Sequence, residues 1–207
     1  FGLDAHFIGH PDAFGNFLPA KPADEPIKEP RIKFNKIILL PGSRRSEISL
    51  ILPEMLAATS IIKRHDPNLN FVLPAVPHLL PLLESLVEGS GVTILDQPDD
   101  LIPTLQTSDA MIATSGTITL QAALCGTVGV TCYITGAFSG FIGRRLVDLD
   151  KVILPNAILG RPLYPFYFQE AAKGKTLAAA TLDCLYDANA KSSARHAAIE
   201  LKSCLLY

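Results

Sequence analysis

The stretch IILLPGSRRSEI, residues 37–48, decides how this chain folds. Four apolar residues in succession suit a strand buried on both faces, as in a parallel sheet covered by helices. Pro41 and Gly42 end that run in a tight turn. Ser43, Arg44, Arg45, Ser46 and Glu47 then stand where a helix should begin. In an open α/β sheet this junction, at the carboxyl end of a strand, is where ligands bind. Gly42 lets the backbone approach a guest closely, Ser43 can cap or bind, and an arginine can fork onto phosphate oxygens. The loop therefore reads as a phosphate seat, with Arg44 or Arg45 as the contact.

Outward from this stretch, β-type runs recur at 70–74, 92–95, 109–114, 128–133 and 151–154, with helix-length segments between most of them. Such alternation predicts a Rossmann-like α/β fold, a parallel sheet with helices on both faces. Residues 46–64 carry Leu52, Leu56 and Ile61 near helical spacing, and Pro53 suits a first turn or a kink. Segments 175–187 and 190–206 are rich in Ala, Leu and Lys and read as closing helices. Before Lys36 the pattern differs. AHFIG reads as a strand, and residues 11–33 are rich in Pro and charge without an apolar period, so they read as a connector. The expected division is 1–35 as the end of an earlier domain with its linker and 36–207 as a ligand-binding domain.

Composition sets limits on function. The chain has 207 residues, 48% hydrophobic and 18% charged, enough to bury a full core. A net charge of −2 gives no basic surplus for nucleic acid, and that partner is discounted. The mean hydropathy of +0.29 is high, yet no window offers the roughly 18 apolar residues of a membrane span. The four cysteines, Cys125, Cys132, Cys184 and Cys204, lack C-x-x-C spacing and read as reduced thiols. The opening FGLDAHFIGHP lacks the basic start and small-residue cleavage site of a signal peptide, so a cytoplasmic location is expected. Its want of an initiator Met suggests the later part of something longer. No metal or other cofactor is expected. Asp99 and Asp100 read as a solvated helix start.

A second strand-to-helix junction lies at IATSGTITLQAALCG, residues 112–126. Ser115, Gly116 and Thr117 make the turn, and the amino end of the next helix offers free N–H groups and partial positive charge. Either loop alone is also what a plain capped turn would look like. Two of them at strand ends of one sheet suggest a diphosphate. One further segment, residues 133–149, sets Phe138, Phe141, Ile142 and Leu146 beside Arg144 and Arg145. It reads either as a core-packed helix or as a face for a membrane surface or acyl chains.

LLPGSRRSEI, SGTITLQAAL, VILPNAILGRPL and the earlier FIGHP occur in the order found in the lipid-A-disaccharide synthase family, which this chain resembles over nearly its whole length. The resemblance implies the later, donor-binding domain of a two-domain GT-B-type glycosyltransferase. It further implies transfer of a diacylglucosamine from UDP-2,3-diacylglucosamine to 2,3-diacylglucosamine 1-phosphate, releasing UDP in lipid A biosynthesis. The implied partners are that donor and a lipid acceptor, with a peripheral place on the inner face of the inner membrane; a homo-oligomer is allowed. Donor-binding positions would be Gly42, Ser43, Arg44, Ser115, Gly116, Thr117, Gln121, Asn156 and Gln169. Arg44 would stabilise the leaving group together with the N–H groups of Ser115 to Thr117. The general base would lie in the domain that this sequence does not contain. His10 reads either as a structural turn residue or as a neighbour of the interdomain cleft.

Two positions depart from the family pattern. Gln121 stands where the family shows a Glu expected to accept both ribose hydroxyls, and Phe166 stands where the pattern L-V-P-E-L-L-Q has its Glu. Exchanging a charge-assisted acceptor for a neutral one costs roughly 1.5–3 kcal/mol at most. A non-catalytic nucleotide-sugar binding module and an enzyme like the UDP-N-acetylglucosamine epimerases are therefore alternatives. Against the epimerase stands LPNAILGR, a segment not expected there.

Overall fold

The computed structural model describes residues 36–96, 101–136 and 152–206. The expected strand at AHFIG, the connector, His10, Asp99, Asp100 and nearly all of segment 133–149 lie outside the described residues. Strand β1 (Lys36–Leu40) leads into helix α1 (Arg45–His65), then β2 (Asn70–Ala75), a 3-10 turn (Pro77–Leu79), α2 (Leu80–Val87) and β3 (Val92–Asp96). The chain continues with α3 (Ile102–Gln106), β4 (Ala110–Thr114), α4 (Thr117–Leu124) and β5 (Gly129–Tyr133). It closes with α5 (Leu154–Leu159), β6 (Phe166–Phe168), a second 3-10 turn (Gln169–Ala171), α6 (Gly174–Tyr186) and α7 (Ala188–Leu206).

All six strands form one sheet in the order β3-β2-β1-β4-β5-β6, and every pairing is parallel. The doubly wound architecture read from the sequence is thus present. Alternate side chains of β1 feed two different cores. Ile37 and Leu39 pack with Ile48, Leu52 and Met55 of α1 and Leu177 of α6. Ile38 and Leu40 pack with Leu120 and Leu124 of α4 and Leu201 of α7. A strand buried on both faces needs an unbroken apolar run, which is why residues 37–40 are IILL.

Pro53 lies in the interior of α1, and the helix runs through it to His65. One strand expectation fails. Within 151–154, Val152 and Ile153 form a bend and Leu154 opens α5, with Pro155 in the first helical turn. Proline has no N–H to give a sheet and its fixed φ suits a helix start. Ile153 is fully buried, so the apolar run serves the second core and not the sheet. The sixth strand is instead Phe166–Phe168, paired to β5 through Thr131↔Phe166.

Winding runs outward from β1 to β2 and β3 on one side and from β4 to β5 and β6 on the other. The order reverses between β1 and β4, whose carboxyl ends register as Leu40↔Ala113. In open α/β sheets such a reversal is where ligand crevices form, and both loops singled out in the sequence start there.

Candidate functional site

The loop after β1 owes its shape to Gly42, which has φ +105°. A Cβ there would lie 2.8 Å from Glu47 Oε2 and 3.3 Å from Thr114 Cγ2. The first loop therefore packs directly on the end of β4. Arg44 is the N-cap of α1, with extended backbone and no side-chain cap bond. Its Nη1 donates to Glu47 Oε1 at 3.0 Å, and its side chain is 76% exposed against 14% for Glu47. Ser43 and Arg45 are exposed and make no side-chain hydrogen bond among the described residues.

The loop after β4 is shorter. Gly116 has φ +157° and ψ −176°, a conformation essentially confined to glycine, and no atom would meet its Cβ. Its requirement is thus conformational and not steric. Gly116 and Thr117 are exposed, and the first turn of α4 leaves N–H groups without an intrahelical partner. Ser115 differs from its neighbours: its N–H donates to Cys132 O at 3.3 Å, continuing the sheet ladder. Of the backbone donors expected from Ser115 to Thr117, the first is therefore committed to the sheet, while its hydroxyl is half-buried and unpartnered among the described residues. Gln121, one turn further on, is also half-buried, and its amide makes no hydrogen bond among the described residues.

The two helix ends are not equivalent as anion seats. Helix α1 carries Glu47 in its first turn, whereas α4 has no acidic residue there. A carboxylate already answers the positive end of α1, so α4 offers the open one.

Gln169 and Asn156 occupy different situations. Gln169 follows β6 with φ +53°, the one non-glycine at positive φ among the described residues. Its Nε2 donates to Thr135 O at 3.1 Å and its Oε1 accepts from Thr135 N at 3.4 Å. This clamp fastens the loop leaving β5 to the end of β6. Asn156 is buried in α5. Its Oδ1 accepts from the N–H of Leu163 and Tyr164 at 2.9 and 3.0 Å, and its Nδ2 donates to Tyr164 O at 2.9 Å. The Asn156 amide is thus spent on holding Tyr164, whose hydroxyl donates to Thr127 O at 2.7 Å. Phe166 is half-buried against the second core, with its ring 6.2 Å from that of Phe168.

Gly42, Ser43, Arg44, Ser115, Gly116, Thr117 and Gln169 therefore share the carboxyl edge of the sheet, with Gln121 in the first turns of the helix that starts there. Asn156 stands in the packing beneath. Sequence reading missed three neighbours. Tyr133, at the end of β5, donates its hydroxyl to Glu47 Oε1 at 3.1 Å. Burial, and then the Glu47 acceptor, raise its hydroxyl above the ordinary tyrosine value. Glu47 was legible as a first-turn carboxylate, but its link to a residue 86 positions away was not. Thr114 is 4% exposed and its hydroxyl has no hydrogen-bond partner among the described residues. No group of three or more His, Cys, Asp or Glu side chains that could hold a metal occurs among the described residues.

The sequence profile of lipid-A-disaccharide synthetase (LpxB) matches residues 1–204. The chain belongs to that family. Lipid-A-disaccharide synthase of Paraburkholderia phytofirmans is 39% identical over 200 residues, covering 90% of this chain and 49% of the relative. The synthase of Nitrosococcus oceani is 33% identical over 190 residues, with the same coverage of 90% and 49%. The chain thus spans about half the length of these lipid-A-disaccharide synthetase relatives.

Among solved structures, the spinosyn rhamnosyltransferase SpnG complexed with thymidine diphosphate superposes with a TM-score of 0.53 at 18% identity, over 84% of this chain and 42% of that one. The glycotransferase of kitacinnamycin gives 0.54 at 14% over 87% and 42%. A putative UDP-N-acetylglucosamine 2-epimerase from Listeria monocytogenes gives 0.52 at 15% over 79% and 39%. Transferases and an epimerase fit alike, so this likeness shows the GT-B-type fold alone; membership of the lipid-A-disaccharide synthetase family rests on sequence. No helix among the described residues is long and apolar enough to cross a membrane.

Proposed function

We propose that this chain is the donor-binding part of a lipid-A-disaccharide synthase, holding the UDP of UDP-2,3-diacylglucosamine at the crevice between β1 and β4. The observation that carries this reading is the meeting of two loops, Gly42 to Arg44 and Ser115 to Thr117, at the point where strand order reverses, in a chain of this family. Negative charge grows on the diphosphate as the glycosidic bond breaks. Donors fixed in advance at that place lower the barrier more than donors aimed at the ground state. Arg44 and the N–H groups of Gly116 and Thr117 fill that role, and Gln121 accepts from the ribose. The sugar passes to 2,3-diacylglucosamine 1-phosphate, and the general base belongs to the preceding domain. Acyl chains on both donor and acceptor favour activity at a membrane surface, and the inner face of the inner membrane is the surface proposed.

A second reading, a nucleotide-sugar binding module without catalysis, is favoured by Gln121, whose neutral amide replaces the family's carboxylate. Both readings require UDP binding. Calorimetric titration of the full chain with UDP tests them together, with binding expected to be unchanged by EDTA. No binding of UDP refutes both, and binding abolished by EDTA refutes the metal-free assignment to Arg44 and the α4 amino end. Joining the family's earlier domain and assaying disaccharide formation then separates the two: turnover supports the synthase, and binding without turnover supports the module.

A further inference from the structure

Glu47 occupies the place at the amino end of α1 where an incoming anion would otherwise sit. Its Oε1 receives two donors, Arg44 Nη1 at 3.0 Å and Tyr133 Oη at 3.1 Å. Its Oε2 lies over Gly42, in space left open because that residue has no side chain. Glu47 is braced on one side by β5 and on the other by the β1 loop, and it is mostly covered, whereas Arg44 stands in solvent. Within the ion pair Glu47 is the fixed member. A guanidinium has five donors, and among the described residues only one is used, on Glu47.

We infer that Glu47, braced by Tyr133, is a positioning residue that holds the Arg44 guanidinium at the mouth of the crevice with its remaining donors free for the donor's diphosphate. This inference rests on the donor-binding reading above. A carboxylate so close to a diphosphate would by itself repel it. Here Arg44 neutralises that charge at 3.0 Å, and the pair presents its cationic end outward. Without Glu47, Arg44 is a mostly exposed side chain that must be ordered anew at each binding event. Tyr133 keeps its proton, because burial and the acceptor both raise its hydroxyl, so it continues to donate to Glu47 over the neutral range.

The test is a double-variant cycle on the full chain, with UDP and uridine titrated into wild type, Arg44→Ala, Glu47→Ala and the double variant. Arg44→Ala is expected to weaken UDP roughly 10- to 100-fold, the range of charge-assisted hydrogen bonds. Glu47→Ala is expected to weaken it roughly 3- to 10-fold, the cost of ordering one long side chain. The double variant should bind UDP no more weakly than Arg44→Ala, and uridine should bind all four alike. Tyr133→Phe should repeat the Glu47 loss in smaller measure. If Glu47→Ala does not fold, Glu47→Gln enters the same cycle, and its loss should again vanish when Arg44 is absent. Unchanged or tighter UDP binding by the Glu47 variants, additive losses, or equal losses for uridine would overturn the inference while leaving the donor reading intact. Arg44→Ala without effect on UDP would overturn the donor reading itself, and this inference with it.

Discussion

Replacing Gly42 by Ala perturbs the crevice in two separable ways, and Gly116→Ala supplies the control. At both positions the backbone is one that an L-residue seldom adopts, with φ +105° at Gly42 and +157° at Gly116. That strain costs about 1–3 kcal/mol per site. Alanine recovers about 0.4–1 kcal/mol by restricting the unfolded chain. The sites differ in what the new methyl meets: Glu47 Oε2 at 2.8 Å and Thr114 Cγ2 at 3.3 Å at Gly42, and nothing within 4 Å at Gly116. Glu47 must then swing away from Tyr133 or Arg44. The Tyr133 bond is worth about 0.5–1.5 kcal/mol. The exposed Arg44 pair adds about 0–1 kcal/mol. Gly42→Ala should therefore destabilise the chain by about 1–2 kcal/mol more than Gly116→Ala. At roughly 2–4 °C per kcal/mol for a chain of this size, calorimetry without ligand should show its Tm a few degrees lower. Equal losses for the two variants, or no loss at Gly42, would refute the placing of Glu47 over the β1 loop.

Gln121→Glu should raise UDP affinity by about 1–2 kcal/mol if the amide faces the ribose, with a smaller gain for deoxyuridine diphosphate. A lower Tm with no gain for UDP would remove Gln121 from the site. Thr114→Val removes a buried hydroxyl that has no partner among the described residues and should stabilise the ligand-free chain by about 1 kcal/mol, raising its Tm; a fall would show that the hydroxyl is bonded in solution. Glu54 accepts from Lys173 Nζ and from the Gly174 N–H, each at 2.8 Å, where α6 begins. Burial tends to raise this carboxyl, but those two donors outweigh it and hold it below its ordinary value. A depressed carboxyl stabilises the fold above its unfolded value and loses that contribution as pH falls through the folded one. Glu54→Gln should accordingly be less stable than wild type at pH 7, and denaturation curves should converge below about pH 4. A gap that stays constant down to pH 2 would refute this.

Much of the fold was readable because its signals are local. A run such as IILL, bounded by Pro41-Gly42 and followed by a helix-start sequence, needs only short-range physics to become strand, turn and helix. The same holds for residues 110–124, the second such junction in one sheet. The misreading at 151–154 also had a local cure, since Pro155 argues for a helix start and the aromatic triplet 166–168 for a strand. An apolar triplet serves a core and a buried strand equally well, so hydropathy alone favoured the wrong use.

By itself, then, the sequence determined the alternating α/β architecture, the two turns that need glycine, the arginine at the first of them and the family to which the chain belongs. The tertiary structure alone decided that β1 and β4 lie side by side, since strand order depends on which faces the helices cover and not on the spacing of the strands. It decided that Ser115 spends its N–H on β5, that Asn156 spends its amide on Tyr164, and that Gln169 clamps Thr135. It decided as well that Glu47 meets Tyr133 across 86 positions. The Asn156 bonds span only seven or eight residues; the others join groups brought together only when the sheet closes, and a one-dimensional pattern carries no record of which distant donor will meet which acceptor.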